Sequence, residues 1–210
     1  LSQPCFPGWD DPTWEIPVNI TGVFGSSGDD VIIGDGVRNN LQGFGGNDTV
    51  SGFGGNDSLF GNDGNDNVFG GDGDDFMVGG LGDDQLDGGA GFDAVSYFDV
   101  LNASVTITLG LNSTALVSDG SGTDTLISID SVTGTGADDT FNIGQDFVGD
   151  DGSSFAIIRG AGGNDTINGN GETRIDYIDA STGVRVDIGS GTARGIQGDA
   201  GVGIDTFNGV

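Results

Sequence analysis

The sequence predicts an all-β fold in which short parallel strands stack as a solenoid, followed by further strands. Three observations support this prediction: a nine-residue repeat, a high glycine content, and strict polar–apolar alternation in two later segments. The repeat runs without a gap through eight frames, from Gly25 to Ser96. A fixed short period predicts a solenoid, because each unit can bury its apolar side only against its neighbours.

Every frame of the repeat places the same residue types at the same positions. Position six carries Asp in all frames but one, and position eight is always apolar. The position-six residues are Asp30, Asn39, Asp48, Asp57, Asp66, Asp75, Asp84 and Asp93. The position-eight residues are Ile32, Leu41, Val50, Leu59, Val68, Met77, Leu86 and Val95. Eight frames in one register exclude a chance match to a motif.

Each frame reads as a glycine-rich loop of six residues and a strand of about three. Glycine tolerates positive φ, which lets the loop bend so that its carbonyls point inward. In the strand, alternation turns the position-eight side chain inward. Each frame is then half a coil, so alternate frames lie in opposite sheets. Ile32, Val50, Val68 and Leu86 are predicted to stack on one inner face, and Leu41, Leu59, Met77 and Val95 on the other.

The chain is strongly acidic, with a net charge of −28. Such a chain does not bind nucleic acid or an anionic membrane unless cations bridge the two. Nearly all the acidic residues are Asp, with Glu only at Glu15 and Glu172. This choice favours short carboxylates placed at tight turns. Halophilic adaptation of the surface is the alternative interpretation.

The predicted core is thin, because one apolar side chain in nine cannot offset the entropy lost on ordering the backbone. Stacked coils also bring Asp carboxylates to about 5 Å, where they repel one another. A divalent cation between the loops would turn that repulsion into attraction. Carboxylate and carbonyl oxygens suit calcium. Because the chain has no His and only one Cys, Cys5, zinc, copper and iron sites are disfavoured.

Residues 70–78 (GGDGDDFMV) and 79–87 (GGLGDDQLD) match the pattern G-G-x-G-x-D-x-U-x throughout. The segment resembles the calcium-binding nonapeptide repeat of RTX proteins, which form a parallel β-roll. Similar segments occur in serralysin-type proteases, RTX toxins, mannuronan epimerases and large bacterial adhesins. The resemblance implies calcium ions between the loops of frames n and n+2, held by position-six Asp side chains and loop carbonyls.

Carried over to this sequence, the resemblance implies about six calcium ions in residues 25–96. The implied pairs are Asp30–Asp48, Asp48–Asp66, Asp66–Asp84, Asn39–Asp57, Asp57–Asp75 and Asp75–Asp93. The implied carbonyl ligands come from position four, at Gly28, Gly46, Gly55, Gly64, Gly73, Gly82 and Gly91. Frame 34–42 departs from the pattern, because Asn39 lacks charge and Arg38 adds a positive one. The Asn39–Asp57 pair therefore departs from the ligand pattern that the resemblance implies.

The rest of the chain contains a longer repeat. Residues 95–99 align with 175–179, 105–110 with 184–189, and 122–126 with 203–207. The second and third of these pairs of segments read as strands, and 105–110 and 184–189 alternate strictly. A degenerate nonapeptide that lacks one loop Gly, 134–142, and a well-matched one, 160–168, provide Asp139 and Asp165 as further candidate calcium ligands, with Ile143–Arg159 as an insertion between them.

The predicted organisation is therefore an N-terminal linker or cap (1–24), an eight-repeat β-roll (25–96), a strand-rich segment flanking the roll (97–133) and a degenerate second copy (134–210). A cap would cover the strand edges at the solenoid end. We also expect the 210 residues to come from a longer array. The aromatic residues at 44, 53, 60 and 69 favour packing against flanking segments, with contact to a neighbour as the alternative.

The sequence favours a binding or structural role over catalysis. It has no His, no Lys and no G-x-S-x-G or H-E-x-x-H motif, and its Asp pairs fall at repeat positions that explain them. The resemblance implies a secreted or cell-surface bacterial protein, exported by type I secretion and folded by extracellular calcium. It then serves as an adhesin or surface-layer repeat unit, with like modules in tandem. The alternative is a C-terminal folding and secretion module on an extracellular enzyme (protease, epimerase or lipase) or a toxin.

Overall fold

A computed structural model of the chain describes residues 20–98, 103–109, 115–118, 122–144, 156–178, 180–181, 183–195 and 203–210. Within these ranges every regular element is a β-strand, and no helix there is long and apolar enough to cross a bilayer. The strands are β1 (Gly22–Phe24), β2 (Val31–Ile33), β3 (Asn40–Gly45), β4 (Thr49–Gly54), β5 (Ser58–Asp63), β6 (Asn67–Asp72), β7 (Phe76–Leu81), β8 (Gln85–Ala90), β9 (Ala94–Ser96), β10 (Thr106–Leu109), β11 (Ala115–Ser118), β12 (Thr123–Ile127), β13 (Ser131–Thr133), β14 (Thr140–Ile143), β15 (Ile157–Arg159), β16 (Thr166–Asn168), β17 (Arg174–Ile175), β18 (Val184–Asp187), β19 (Thr192–Gly195) and β20 (Ile204–Asn208).

The strands form two sheets that face each other across one core. The eight-stranded sheet has the order β1-β3-β5-β7-β9-β13-β15-β17. The twelve-stranded sheet has the order β18-β19-β20-β16-β14-β10-β11-β12-β8-β6-β4-β2. From β1 to β9, successive strands alternate between the sheets, and each pairs in parallel with the strand one coil later. The predicted all-β parallel roll is therefore confirmed.

Within the eight frames the core consists of the position-eight side chains, and the later strands continue it with residues such as Ile107, Phe141 and Ile167. All eight are buried, and the most exposed of them, Ile32, has only 6% of its surface accessible. Leu41 lies opposite Leu59 in one sheet, and Val50 lies opposite Val68 in the other. The prediction that odd and even frames occupy opposite sheets is confirmed. Each short strand turns one position-eight side chain inward, as period-two alternation requires.

The strands β3 to β8 are longer than predicted, since each covers six residues rather than about three. Each runs through the position-one glycine and continues into the next loop, where Phe44 still lies opposite Asn62. The bend comes at position two, where Phe44, Phe53 and Asn62 adopt left-handed φ values of 79°, 75° and 79°. The loop thus contributes a second short paired segment that hydrophobic alternation does not reveal.

Two antiparallel meanders interrupt the roll, and they have the same topology. In the first, β10, β11 and β12 pair antiparallel with one another, β12 pairs in parallel with β8, and β10 pairs in parallel with β14. In the second, β18, β19 and β20 pair in the same way and β20 joins β16. In the opposite sheet β9 pairs directly with β13. The twelve-stranded sheet therefore has three strands where a regular coil would contribute one, so each meander adds two strands to this sheet.

Two boundaries differ from those expected. The proposed insertion Ile143–Arg159 includes Ile157–Arg159, which forms β15 between β13 and β17. Ile158 is buried in the core, so this part of the segment continues the solenoid. Residues 22–24 of the proposed N-terminal linker or cap form β1, which pairs with β3. Residues 1–19, with both tryptophans and Cys5, lie outside the described residues.

Candidate metal centre

The position-six side chains form a ladder along each side of the roll. The backbone N–H of Asp48 donates to Oδ1 of Asp66 at 2.7 Å, and that of Asp66 donates to Oδ1 of Asp84 at 2.8 Å. The same bond links residues 18 apart at Asp30→Asp48, Asn39→Asp57, Asp57→Asp75 and Asp75→Asp93. Each carboxylate is thereby anchored by one oxygen to the preceding coil, which fixes the position of the other.

The second carboxylate oxygen is buried and has no hydrogen-bond donor in the described part of the chain. This holds for Oδ2 of Asp48, Asp57, Asp66, Asp75 and Asp93. Burying a carboxylate oxygen without a partner is energetically costly, and such groups in native proteins call for an explanation. A cation bound at the loops would supply the missing partner, so the residues fit a metal site.

The position-one glycines lie against these oxygens. A Cβ at Gly61 would collide with Oδ2 of Asp66 and would come within 2.6 Å of the Gly79 carbonyl oxygen. Gly43, Gly52 and Gly70 meet the corresponding carboxylate and carbonyl oxygens. A carboxylate oxygen from one coil and a carbonyl oxygen from the next therefore converge in the space that a side chain at position one would occupy.

The family resemblance implies the position-four glycines as carbonyl ligands. In the structure six of these seven glycines are required by the backbone conformation of the loop. Gly46, Gly55, Gly64, Gly73, Gly82 and Gly91 all have positive φ, from 106° to 140°. A Cβ at Gly64 would collide with the Gly46 carbonyl group one coil earlier. Gly28, in the first frame, has no close neighbour. Their contribution as calcium ligands stays a prediction.

Burial shifts the acid–base equilibrium of the ladder. It raises the pKa of Asp66 to about 6 and that of Asp93 to about 7. It also raises the pKa of Asp57 and Asp75. Backbone N–H donors partly counter the effect, whereas the neighbouring carboxylates reinforce it. A divalent cation would reverse these shifts, because it stabilises the ionised form.

The first members of both ladders differ from the rest. Asp30 is only half-buried, and its Oδ2 accepts the Ser26 N–H at 2.6 Å. The Asn39 amide oxygen accepts the Asp35 N–H at 2.9 Å, and its nitrogen donates to the Ile20 carbonyl at 3.4 Å. These two side chains are satisfied within the protein, so they need a cation less than the buried carboxylates do.

Asp139 and Asp165 come together as the repeat pattern suggested. The Asp139 N–H donates to Oδ1 of Asp165 at 2.9 Å. Both Asp139 oxygens also accept hydrogen bonds from Thr135, whereas Oδ2 of Asp165 is buried with no donor among the described residues. Burial raises the pKa of Asp165 to about 8. Their binding of calcium stays a prediction.

Three further Asp residues extend the ladders beyond the nonapeptides. The N–H groups of Asp84, Asp93 and Asp165 donate to the carboxylates of Asp124, Asp130 and Asp205, at 3.0, 3.1 and 3.1 Å. All three acceptors are buried. The repeat pattern does not predict these three residues, because no glycine loop of the full pattern precedes them. The available signal was the triplet Asp–x–apolar, as in Asp124-Thr125-Leu126.

An outer ladder at position five was also missed. The Asn65 N–H donates to Oδ1 of Asn47 at 2.9 Å, and the Asp83 N–H donates to Oδ1 of Asn65 at 3.0 Å. In these bonds each N–H donates to the preceding coil, whereas in the Asp ladder each N–H donates to the following coil. Position five is Asn or Asp in six of the eight frames. That preference is the feature of the sequence that indicates the outer ladder.

Within the described ranges, three or more acidic, Cys or His side chains never converge on one point. In the predicted sites, which pair two position-six side chains, loop carbonyls would therefore have to supply the remaining ligands. Calcium accepts such irregular, carbonyl-rich oxygen coordination, whereas magnesium demands a tighter octahedron.

A parallel roll with paired, buried carboxylates between successive loops defines a calcium-binding β-roll. The sequence profile of the RTX calcium-binding nonapeptide repeat matches four stretches, residues 24–59, 33–67, 60–95 and 150–183, which together cover about half of the chain. The chain therefore belongs to the RTX calcium-binding nonapeptide repeat family. A comparison with curated proteins gave no match.

Proposed function

We propose that this chain is a non-catalytic module of a secreted or cell-surface bacterial protein, folded by calcium after export. The single observation that carries the proposal is the row of buried Oδ2 atoms without donors at Asp48, Asp57, Asp66, Asp75 and Asp93. In this proposal each of these oxygens binds a calcium ion shared with the adjacent coil. About six ions occupy residues 25–96, in line with the oxygen ligands available.

Charge neutralisation makes the fold depend on calcium. The chain carries a net charge of −28, and its low hydrophobicity with high charge favours disorder without counter-ions. Extracellular calcium modules bind at about 10⁻⁴–10⁻³ M. At the lower calcium concentration inside a cell the chain stays unfolded, which suits passage through a narrow secretion channel. Outside the cell the loops fill with calcium and the roll forms.

The repeated meander supports a structural role as an adhesin or surface-layer unit. The β10–β12 and β18–β20 meanders have the same topology, as expected of a module built for repetition. The other candidate, a folding and secretion module attached to an extracellular enzyme or toxin, shares the same calcium switch and differs in its neighbouring domain.

The experiment that tests the proposal is a calcium titration followed by circular dichroism, with reversal by a chelator. The native chain is expected to gain its β-sheet signal cooperatively, and equilibrium dialysis should count about six ions per roll. Asp66→Asn keeps an oxygen acceptor but removes a charge shared by two predicted sites, so the calcium midpoint should rise severalfold. Asp63→Asn removes an exposed charge outside the ladder and serves as the matched control.

A full β-sheet signal in chelator would contradict the calcium switch. Equal calcium midpoints for Asp66→Asn and Asp63→Asn would contradict the assignment of the ladder carboxylates as ligands.

A further inference from the structure

The first meander rejoins the roll at a short turn that takes the place of a glycine loop. We define the first junction as Gly88, Asp93, Ser128 and Asp130, where the last two residues lie in the turn between β12 and β13. The N–H groups of Asp130 and Ser131 both donate to the Asp93 carbonyl at 3.0 Å. The Asp93 N–H donates to Oδ2 of Asp130 at 3.1 Å. The turn is therefore held against the preceding coil in the register of the Asp ladder.

Ser128 places a carbonyl oxygen where the nonapeptide loops have a glycine carbonyl. In those loops, a Cβ at position one would meet the Asp oxygen of its own loop and a position-one carbonyl from the next coil. Gly70 shows this arrangement, with Oδ2 of Asp75 and the Gly88 carbonyl as the two neighbours. A Cβ at Gly88 would in turn lie 2.6 Å from Oδ2 of Asp93 and would collide with the Ser128 carbonyl oxygen. The first junction therefore brings the same two kinds of oxygen together, although no nonapeptide forms its second half.

The backbone of Ser128 is held in a strained conformation. Its φ of 53° lies in the left-handed region, which residues with a Cβ adopt only where the surroundings enforce it. Ile129, the next residue, is fully buried and anchors the turn in the core. This conformation brings the Ser128 carbonyl oxygen to the space beside Gly88.

Asp93 provides the independent observation that indicates a cation. Its side chain is fully buried, and its Oδ2 has no hydrogen-bond donor in the described part of the chain. Two buried oxygens that face one another without a donor repel, and a cation between them removes this repulsion. Carboxylate and carbonyl oxygens are the ligands that calcium prefers.

The second copy contains an equivalent junction in which a hydroxyl group replaces the carboxylate. Its members correspond in order to Gly88, Asp93 and Ser128, and they are Gly169, Thr173 and Gly209. Gly209 has nearly the same left-handed φ as its counterpart, 60° against 53°. A Cβ at Gly169 would lie 2.5 Å from the Gly209 carbonyl oxygen and 2.8 Å from the Thr173 hydroxyl.

In this second junction, protein groups satisfy both oxygens. The Asn170 N–H donates to the Thr173 hydroxyl at 3.2 Å, and that hydroxyl donates to Oδ1 of Asn170 at 3.1 Å. The Gly171 N–H donates to the Gly209 carbonyl. The contrast between the two junctions identifies the Asp93 carboxylate as the group that needs a cation.

We propose that the first junction binds a calcium ion in addition to those between the nonapeptide loops. Oδ2 of Asp93 and the Ser128 carbonyl oxygen bind the ion, Asp130 provides the second carboxylate, and water completes the oxygen shell. The second junction binds none. This proposal rests on the calcium-dependent fold proposed above, because the glycine loop faces the turn only in the folded roll.

The ion at the first junction links the roll to its first meander. Asp93 and Asp130 are 37 residues apart in sequence, and the chain between them contains β10, β11 and β12. A metal bound by both ends closes this long loop, and such a link stabilises the fold more when the loop is long. The first meander therefore depends on calcium at its junction, whereas the second needs no ion there.

Equilibrium dialysis tests the proposal at the calcium concentration that just saturates the native chain. Asp130→Asn keeps an acceptor for the Asp93 N–H and removes one charge, so it should keep its β-sheet signal by circular dichroism and bind about one ion fewer. Ser128→Gly keeps the carbonyl and accepts the left-handed φ, so it should bind the native number. Asp63→Asn removes an exposed charge outside the ladder and is the matched control, also with the native number.

Equal ion counts in Asp130→Asn and Asp63→Asn would overturn the proposal. An anomalous difference map of native crystals grown in calcium does not depend on the folding of a variant. A peak between Oδ2 of Asp93 and the Ser128 carbonyl oxygen is expected, and no peak there, beside peaks between the nonapeptide loops, would also overturn it.

The same samples separate this proposal from the fold switch on which it rests. A native chain that has its full β-sheet signal in chelator and binds no calcium would show that the fold switch has failed, and the junction ion with it. A calcium-dependent signal with equal ion counts in the two Asp→Asn variants would show that only the junction site has failed.

Discussion

At position one of the nonapeptide, glycine is required by the atoms that face it rather than by its backbone angle. Gly61 has no room for a Cβ, because Oδ2 of Asp66 and the Gly79 carbonyl occupy that space. At position four two reasons combine, since Gly64 has positive φ, a conformation that residues with a Cβ adopt only with strain, and a Cβ there would also collide with the Gly46 carbonyl. The same residue type thus serves two separate purposes in one loop.

A substitution distinguishes these purposes. Gly61→Ala should destabilise the calcium-loaded roll by about 1–3 kcal/mol, the range for overpacking a tight site. It should also raise the calcium midpoint, because the added methyl group displaces the Asp66 carboxylate. Thermal unfolding and calcium titration measure the two effects.

Gly45→Ala is the matched control for Gly61→Ala. The nearest atoms to a Cβ at Gly45 are 3.8 Å away, an ordinary contact. Equal losses of stability in the two variants would contradict the steric explanation.

At the scale of elements, the nine-residue repeat predicted the sheet and the inward residue of each strand, but not the pairing of the later strands. It gave the assignment of alternate frames to opposite sheets and the inward residue of every strand, because both follow from a nine-residue half-coil. It did not give the direction of pairing in β10–β12, since alternation alone does not distinguish a parallel from an antiparallel neighbour. It also missed Asp124, Asp130 and Asp205, which continue the ladder through hydrogen bonds from the adjacent coil, whose donors lie 37 to 40 residues away in sequence.

The second meander provides a test of these missed residues. Oδ1 of Asp205 accepts the Asp165 N–H at 3.1 Å and so fixes the start of β20 to the roll. Asp205→Ala should weaken this junction by about 1–3 kcal/mol, because it leaves a buried donor unsatisfied. Hydrogen exchange should then speed up in β18–β20 and stay unchanged in β2–β8. Asp205→Asn, which keeps the acceptor oxygen, should largely restore protection, and equal exchange in both variants would count against the ladder.

At the scale of the whole molecule, the buried carboxylates link folding to protons as well as to calcium. In the calcium-free roll, burial raises the pKa of Asp66, Asp93 and Asp165 from the usual 3.8 to about 6, 7 and 8. Between pH 8 and pH 4 the folded chain therefore binds protons that the unfolded chain does not. The free energy of unfolding must rise as the pH falls through this window.

The calcium-free chain is thus expected to be more folded at pH 5 than at pH 8. The calcium-loaded chain should show the opposite trend in affinity, because protons and calcium compete for the same oxygens. Circular dichroism of calcium-depleted protein at the two pH values, and calcium titrations at each, measure both effects. A calcium-free chain that loses β-sheet signal on acidification to pH 5 would contradict the predicted linkage.

The meanders also have a mechanical consequence. Between β8 and β14 one wall of the roll contains three strands where a regular coil would contribute one, so each meander adds two strands to that wall. With strands about 4.8 Å apart, that wall is about 10 Å longer over the same stretch of core. A filament made of such units would bend toward its shorter wall at every meander, so its curvature would be set by how often the meander recurs.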